Sequence, residues 1–151
     1  MIKSDEMQAG PDKIGITVAF FCNDGNGNFV LHKRSDACRD EQGKWDCGGG
    51  KLEFGEEPET AVLREVKEEY GVNGTIQEQL SAYSLFREQG GVNTQWLVLP
   101  FLIKIEVKKA KIMEPEKATD IGIFTINNLP QPLHPGLQKL LLLYKDRYKR
   151  A

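Results

Sequence analysis

Residues 50–72 read GKLEFGEEPETAVLREVKEEYGV, a glycine bend running into a segment crowded with carboxylates, and few folds can make use of such a stretch. A helix over Pro58 to Tyr70, advancing ~100° per residue, puts Val62, Leu63, Val66 and Tyr70 on one flank that can face a core. Glu65, Glu68 and Glu69 fall at i, i+3 and i+4 and form a second stripe beside the first. Like charges at this spacing repel on a bare helix. A hard divalent cation, which prefers oxygen ligands, would turn that cost into a binding site; the plain alternative is a solvated acidic face. Pro58 suits a first helical turn, and Gly71 is where a left-handed cap would stop the helix. Upstream, Gly48, Gly49 and Gly50 let the backbone turn sharply and approach a ligand closely. Loop and helix therefore read as two arms of one charged site.

The rest of the chain is organised to hold that unit. Its 151 residues, 40% hydrophobic and 28% charged, suffice for one domain with a real core. That domain is expected over residues 13–151, after a loose polar leader over 1–12 that carries Gly10-Pro11. A formal net charge of −2 excludes broad attraction to a nucleic acid polymer or an acidic membrane, so a polyanionic substrate must be gripped by local Lys and Arg or through metal. Cys22, Cys38 and Cys47 form no CxxC pair and have no His at metal-ligand spacing. With no secretory signal, they point to a reducing, cytoplasmic setting. No apolar run approaches the ~20 residues that span a bilayer.

Ile14 to Cys22 is apolar on both faces, which predicts a central strand. The Asn/Gly turn 23–28 leads to a second strand, Phe29 to Arg34, closing a hairpin. Lys33 and Arg34 end it near the glycine loop, where they could contact phosphate. His32 reads as a surface or satisfied residue rather than a general base. Trp45-Asp46-Cys47 is a short strand into the loop. Thr75 to Phe86 and Thr94 to Val107 read as two strands, with Pro100 implying a bulge or an edge position. A charged loop 108–120, a last strand Ile121 to Ile126 and a helix Pro135 to Tyr148 follow, the helix faced by Leu137, Leu140, Leu141 and Tyr144.

Gly50, Glu56, Arg64-Glu65-Val66, Glu68-Glu69 and Gly71-Val72 together resemble the signature box of the Nudix hydrolase family, MutT-like enzymes among them, at every defined position. With Gly and Glu each near ~7% of average usage, chance would give such a match on the order of once in 10⁸ start positions. One departure precedes the box: Cys47-Gly48 stands where many members carry Pro, which would leave the loop more flexible. The resemblance implies an α/β/α sandwich with a mixed β-sheet between helices. It also implies Mg²⁺-dependent (or Mn²⁺-dependent) hydrolysis of a nucleoside diphosphate linked to a further group. By position, Glu65, Glu68 and Glu69 would be the metal-binding carboxylates, with the Gly49 carbonyl as a further ligand. Arg64 and Glu56 would brace loop against helix. The base would be Glu65 or a downstream acid, Glu114, Glu116 or Asp120.

The segment Glu114-Pro115-Glu116-Lys117, with Phe124 and Asn128-Leu129-Pro130, is similar to the later part of Nudix enzymes that convert nucleoside triphosphates, ordinary or oxidised, to monophosphate and pyrophosphate. ADP-ribose, a nucleotide sugar or a dinucleoside polyphosphate stay open as substrates, as does a non-catalytic nucleotide sensor. Trp45, Phe86, Trp96 and Phe124 are candidate platforms for a nucleobase. Lys33, Arg34, Glu116 and Asp120 complete the expected substrate contacts, and the protein would be a monomer or a homodimer.

Overall fold

The computed structural model describes residues 13–150, so the expected leader over 1–12 lies outside the described residues. The elements run β1 (Ile14–Asn23), β2 (Phe29–Arg34), β3 (Trp45–Asp46), β4 (Gly49–Lys51), α1 (Pro58–Tyr70), β5 (Thr75–Gln79), β6 (Tyr83–Gln89), β7 (Val92–Lys104), β8 (Ala118–Phe124) and α2 (Pro135–Arg150). The strands form one eight-stranded mixed sheet.

β1 is its axis. On one side it runs parallel to β7 along its whole length, from Ile14↔Gln95 to Asn23↔Lys104. On the other it pairs with β2 at the hairpin, Asn23↔Phe29, and then with β4 at Thr17–Ala19. Between those contacts β1 and β2 diverge, and β3, Cys47-Gly48 and β4 thread the wedge they leave, with the Phe20 amide donating to the Gly48 carbonyl at 3.1 Å. Because successive β1 side chains point to opposite faces, the strand feeds two cores. Ala19 and Phe21 join Leu137, Leu140, Leu141 and Tyr144 of α2; Val18, Phe20 and Cys22 join Ala61, Val62, Val66 and Tyr70 of α1. The result is the expected sandwich, a mixed sheet with one helix on each face.

The expected apolar faces of both helices are buried, Leu63 only in part. α1 begins with Pro58 and ends on Gly71 at φ 71°, whose N–H returns to the Lys67 carbonyl. Three expectations need correction. The single strand over Thr75 to Phe86 is two strands, β5 and β6, both pairing with β7. Pro100 is on no edge: β7 is paired on both sides, and Pro100 falls where its second neighbour changes from β6 to β5. Its missing N–H therefore costs no ladder bond, while its carbonyl accepts from the Leu80 amide at 2.8 Å. The last strand ends at Phe124 and starts within the expected charged loop, because β8 takes its register from β2, from Phe29↔Phe124 to Arg34↔Ala118.

Candidate functional site

The loop–helix unit is assembled by contacts that only glycine permits. Gly48 lies at φ +110°, and a Cβ there would stand 2.3 Å from the Phe20 ring; a Cβ on Gly50 would stand 2.2 Å from the Glu65 carboxyl carbon. The Gly50 carbonyl accepts from Thr17 Oγ1 at 2.8 Å. Cys47-Gly48, expected to loosen the loop, is instead clamped. Both residues are buried, Cys47 N–H donates to Asp46 Oδ1 at 2.8 Å, and the Tyr70 hydroxyl donates to the Cys47 carbonyl at 3.0 Å. That hydroxyl also meets His32 Nδ1 at 2.7 Å, so His32 is satisfied, one of its two expected readings, and buried rather than at the surface, and burial holds its pKa below the ordinary value.

Arg64 braces the unit. Its Nε and Nη2 donate to the two Glu56 oxygens at 2.7 and 2.9 Å, while Nη1 reaches Glu65 at 3.0 Å and both Glu68 oxygens at 3.2 Å. The guanidinium hydrogen bond holds the Glu56 carboxyl below the usual carboxylate range. Arg64 correspondingly titrates above its ordinary value, chiefly through Glu56. Glu56→Gln should weaken apparent divalent-metal affinity by about 10–100-fold through loss of this brace, read from a metal titration of turnover, and lysine at position 64 should not restore it because it lacks the bidentate fork.

The three box glutamates occupy different environments. Glu68 is exposed. Glu65 is half-buried, and burial, with Glu68 adding to it, raises its pKa in spite of Arg64. Glu69 is half-buried as a residue, but its Oε2 is shut off from solvent; burial first, then Glu65, Asp46 and Glu114, push its pKa well above the ordinary value. Among the described residues, Glu69 Oε2 is the buried side-chain oxygen left without a hydrogen-bond partner. Two of the three acids turn toward Arg64, so no group of three His, Cys, Asp or Glu converges on a point among the described residues. A divalent cation nonetheless fits the residues present. It would supply the partner that Glu69 Oε2 lacks, beside a Glu65 carboxylate seated where the absent Gly50 side chain leaves room. Gly50→Ala is expected to displace that carboxylate and cut turnover by about 10–100-fold with little change in melting temperature, since a flexible side chain yields before the backbone does.

Glu69 lines a cavity of about 270 Å³ whose lining comes from both faces of the sheet, through the β1–β2 wedge. Apolar walls are supplied by Leu85, Trp96 and Val98, and polar groups by Arg34, Asp46, Arg87 and His134. Arg34 is thus near the site but already engaged. Its Nε and Nη2 donate to the Asp40 carbonyl at 3.2 and 3.1 Å, Nη2 also meets the Asp40 carboxylate, and Nη1 lies 3.6 Å from Asp46 Oδ2. Arg87 pairs with the same Asp40 and lies 3.4 Å from Glu41. Burial opposes the charge of Asp46, but His134, His32, Arg34 and the Cys47 N–H outweigh it and keep the carboxyl below its ordinary pKa.

Of the other expected contacts, Lys33 lies opposite Asp120 in the β2–β8 ladder. Trp45 and Phe124 pack edge to face on each other at 5.2 Å against the α2-side core. Phe86, between cavity-facing Leu85 and Arg87, points outward and is 72% exposed. Trp96 alone of the four candidate aromatics lines the cavity. Among the downstream acids, Glu116 is exposed and contributes its carbonyl to Ser35 Oγ at 2.6 Å. Asp120 is exposed on β8, while Glu114 is half-buried and close enough to raise the Glu69 pKa. Lys117, 3.5 Å from Glu114, also faces these acids. Burial works against its charge, but Glu114, Glu69 and Glu65 together raise its pKa. Asp46, Arg87, Lys117 and His134 were not legible as site residues, since each stands alone in its own stretch of sequence.

The sandwich, with a braced glycine loop and acidic helix at its cleft, is of the Nudix type that the box implies. The chain belongs to that family: the NUDIX domain profile matches residues 13–144. The 8-oxo-dGTP diphosphatase of Escherichia coli K12 is 40% identical over 60 residues, which cover 40% of this chain and 45% of that protein. The CTP pyrophosphohydrolase of the same organism is 35% identical over 66 residues, 44% of this chain and 47% of that one. These matches span about half the length of the curated relatives. Among solved structures, a MutT NUDIX hydrolase from Burkholderia pseudomallei superposes with a TM-score of 0.78 at 25% identity, covering 87% of this chain and 98% of that one. A NUDIX hydrolase from Nitrosomonas europaea, at 20% identity, a TM-score of 0.68 and coverage of 89% and 90%, shares the fold. Among the described residues no helix is long and apolar enough to cross a membrane.

Proposed function

We propose that this chain is a Mg²⁺-dependent pyrophosphohydrolase that cleaves the α–β anhydride of a nucleoside triphosphate, ordinary or oxidised, releasing monophosphate and pyrophosphate. The observation that carries this reading is the Glu69 carboxylate, buried with one oxygen unpartnered, in the lining of a cavity that can take the nucleoside. A buried carboxylate without a partner is costly to keep; a fold that retains one beside a second acid has a use for it. The similarity to an 8-oxo-dGTP diphosphatase and a CTP pyrophosphohydrolase supports a triphosphate over ADP-ribose or a nucleotide sugar.

Glu65, Glu68, Glu69 and the Gly49 carbonyl would hold the cation, which when bound neutralises the anhydride oxygens and stabilises charge moving onto the leaving group. The protein's own part is positional. Arg64, forked onto Glu56, fixes the azimuth of α1 against the loop and so the direction of the acids. Lys117, paired with Glu114 at 3.5 Å, provides a positive charge beside these acids, suited to a phosphate oxygen. Glu65, half-buried with a raised pKa, or Glu114, close to Glu69, would take the proton of the attacking water. Its oxygen bonds to phosphorus as the bridging P–O bond breaks.

The deciding experiment is a panel of nucleoside triphosphates, oxidised ones included, with ADP-ribose, nucleotide sugars and diadenosine polyphosphates, assayed with Mg²⁺. Pyrophosphate release from a triphosphate is the expected result. Binding across the whole panel without product would overturn the catalytic reading and leave a sensor.

A further inference from the structure

The polar end of the cavity is incomplete in a specific way. Asp46 Oδ1 accepts the Cys47 N–H, but Oδ2 lies beyond hydrogen-bond range of the side-chain nitrogens near it, Arg34 Nη1 at 3.6 Å and His134 Nε2 at 4.0 Å. His134 Nδ1 accepts the Gly136 N–H at 2.9 Å, so the neutral ring carries its hydrogen on Nε2. Burial lowers the His134 pKa despite Asp46, which favours that neutral form. All three residues line the cavity. They present one under-satisfied anionic acceptor with two N–H donors near it, beside the apolar wall of Leu85, Trp96 and Val98.

We infer that Asp46, with Arg34 and His134, selects a nucleobase that carries a ring N–H between two carbonyls. This deepens, and rests on, the triphosphate reading above. The complement of acceptor flanked by donors is donor flanked by acceptors. Uracil, thymine and xanthine have that edge, and a guanine oxidised at C8 gains it, because its N7 acquires a hydrogen between O6 and the new carbonyl. Adenine and cytosine place a bare ring nitrogen at the centre, and its lone pair would face the carboxylate. Unoxidised guanine offers N1–H but sets its 2-amino group against a donor, and its other edge has no hydrogen on N7. A site built to pair a buried polar group discriminates strongly against a ligand that leaves it unpaired.

The test uses two readouts on the full chain. The first is kcat/KM with Mg²⁺ for UTP, dTTP, XTP and 8-oxo-dGTP against CTP, ATP and dGTP; the second is calorimetric binding of the corresponding monophosphates in chelator. At least one base of the first group should exceed every base of the second by about 10-fold or more in both readouts, the order expected when a buried charged acceptor loses its donor. Asp46→Asn, whose amide is donor as well as acceptor, should compress that range. A ranking led by CTP, ATP or dGTP, or a flat one, would overturn the inference even if Asp46→Asn fails to fold, since the wild-type ranking decides. The expected monophosphate ranking with no triphosphate turned over would support the base reading and sink the hydrolase reading alone.

Discussion

Glu69→Gln is expected to abolish turnover and, in the same protein without metal, to raise the melting temperature at pH 7. The two effects share one cause. The wild-type carboxylate is buried, has one oxygen without a partner and is faced by Glu65, Asp46 and Glu114. Its folded pKa is therefore raised above the 4.5 of an ordinary glutamate. The unfolded chain gives up this proton first, so wild-type stability declines as pH rises from about the unfolded value through the raised folded one. Glutamine carries no such charge. The difference in melting temperature should be near zero around pH 4 and grow to about 3–10 °C above neutrality, the scale set by one unsatisfied buried polar group in a chain of this size.

Turnover should fall by about 10³-fold or more, beyond the loss caused by removing an outer partner of a metal ligand. Mg²⁺ should raise the melting temperature of wild type by mass action and leave the variant unmoved. A variant that is less stable than wild type in chelator at pH 7, or one that keeps its activity, would remove Glu69 from the proposed metal site. The trade of stability for function is the usual signature of a residue kept for its chemistry.

How far the molecule was legible from sequence follows from how local each determinant is. The α1 helix has its limits written into it: Pro58 needs only its own φ, and Gly71 only its left-handed turn. The apolar faces of both helices are likewise local periodicities. The division of 75–86 into two strands is not, because Leu80 to Ala82 offers no Gly, Pro, Asn or Asp, only Ser81, and the break is imposed by β7 changing partners at Pro100. β8 was displaced for the same reason, its limits being chosen by β2. The acids of the site were legible because they sit within one turn or two of a single helix. Of the cavity's polar end only Arg34 was, because Asp46, Arg87 and His134 come from separate segments and meet it only when the β1–β2 wedge forms. Trp45 and Phe124 could not be placed from sequence for a related reason: an aromatic residue beside a strand looks the same whether it stacks on a base or on its neighbour, as these two do.

That wedge makes Gly48 a sensitive backbone position in the loop, and Gly48→Ala the second large expected effect. Alanine there must hold φ near +110° and place a methyl carbon 2.3 Å from Phe20. The backbone penalty for a non-glycine residue is about 1–3 kcal/mol and overpacking adds about 1–3 kcal/mol. The ring cannot retreat, because Phe20 is fully buried and packs edge to face on Tyr70 at 5.4 Å. Tyr70 in turn holds the Cys47 carbonyl and His32, so displacing Phe20 strains the clamp between loop and helix. A loss of about 2–6 kcal/mol should lower the melting temperature by roughly 5–20 °C, measured by calorimetry. The contrast with Gly50→Ala, two residues on, is the sharper test. At Gly50 the obstructing atoms are the tip of a flexible glutamate, so activity should fall and stability hold; at Gly48 they are a locked ring, so stability should fall first. Equal melting temperatures for the two variants would mean that the loop can shift away from β1, and that the clamp at Cys47 does not fix the position of the acids.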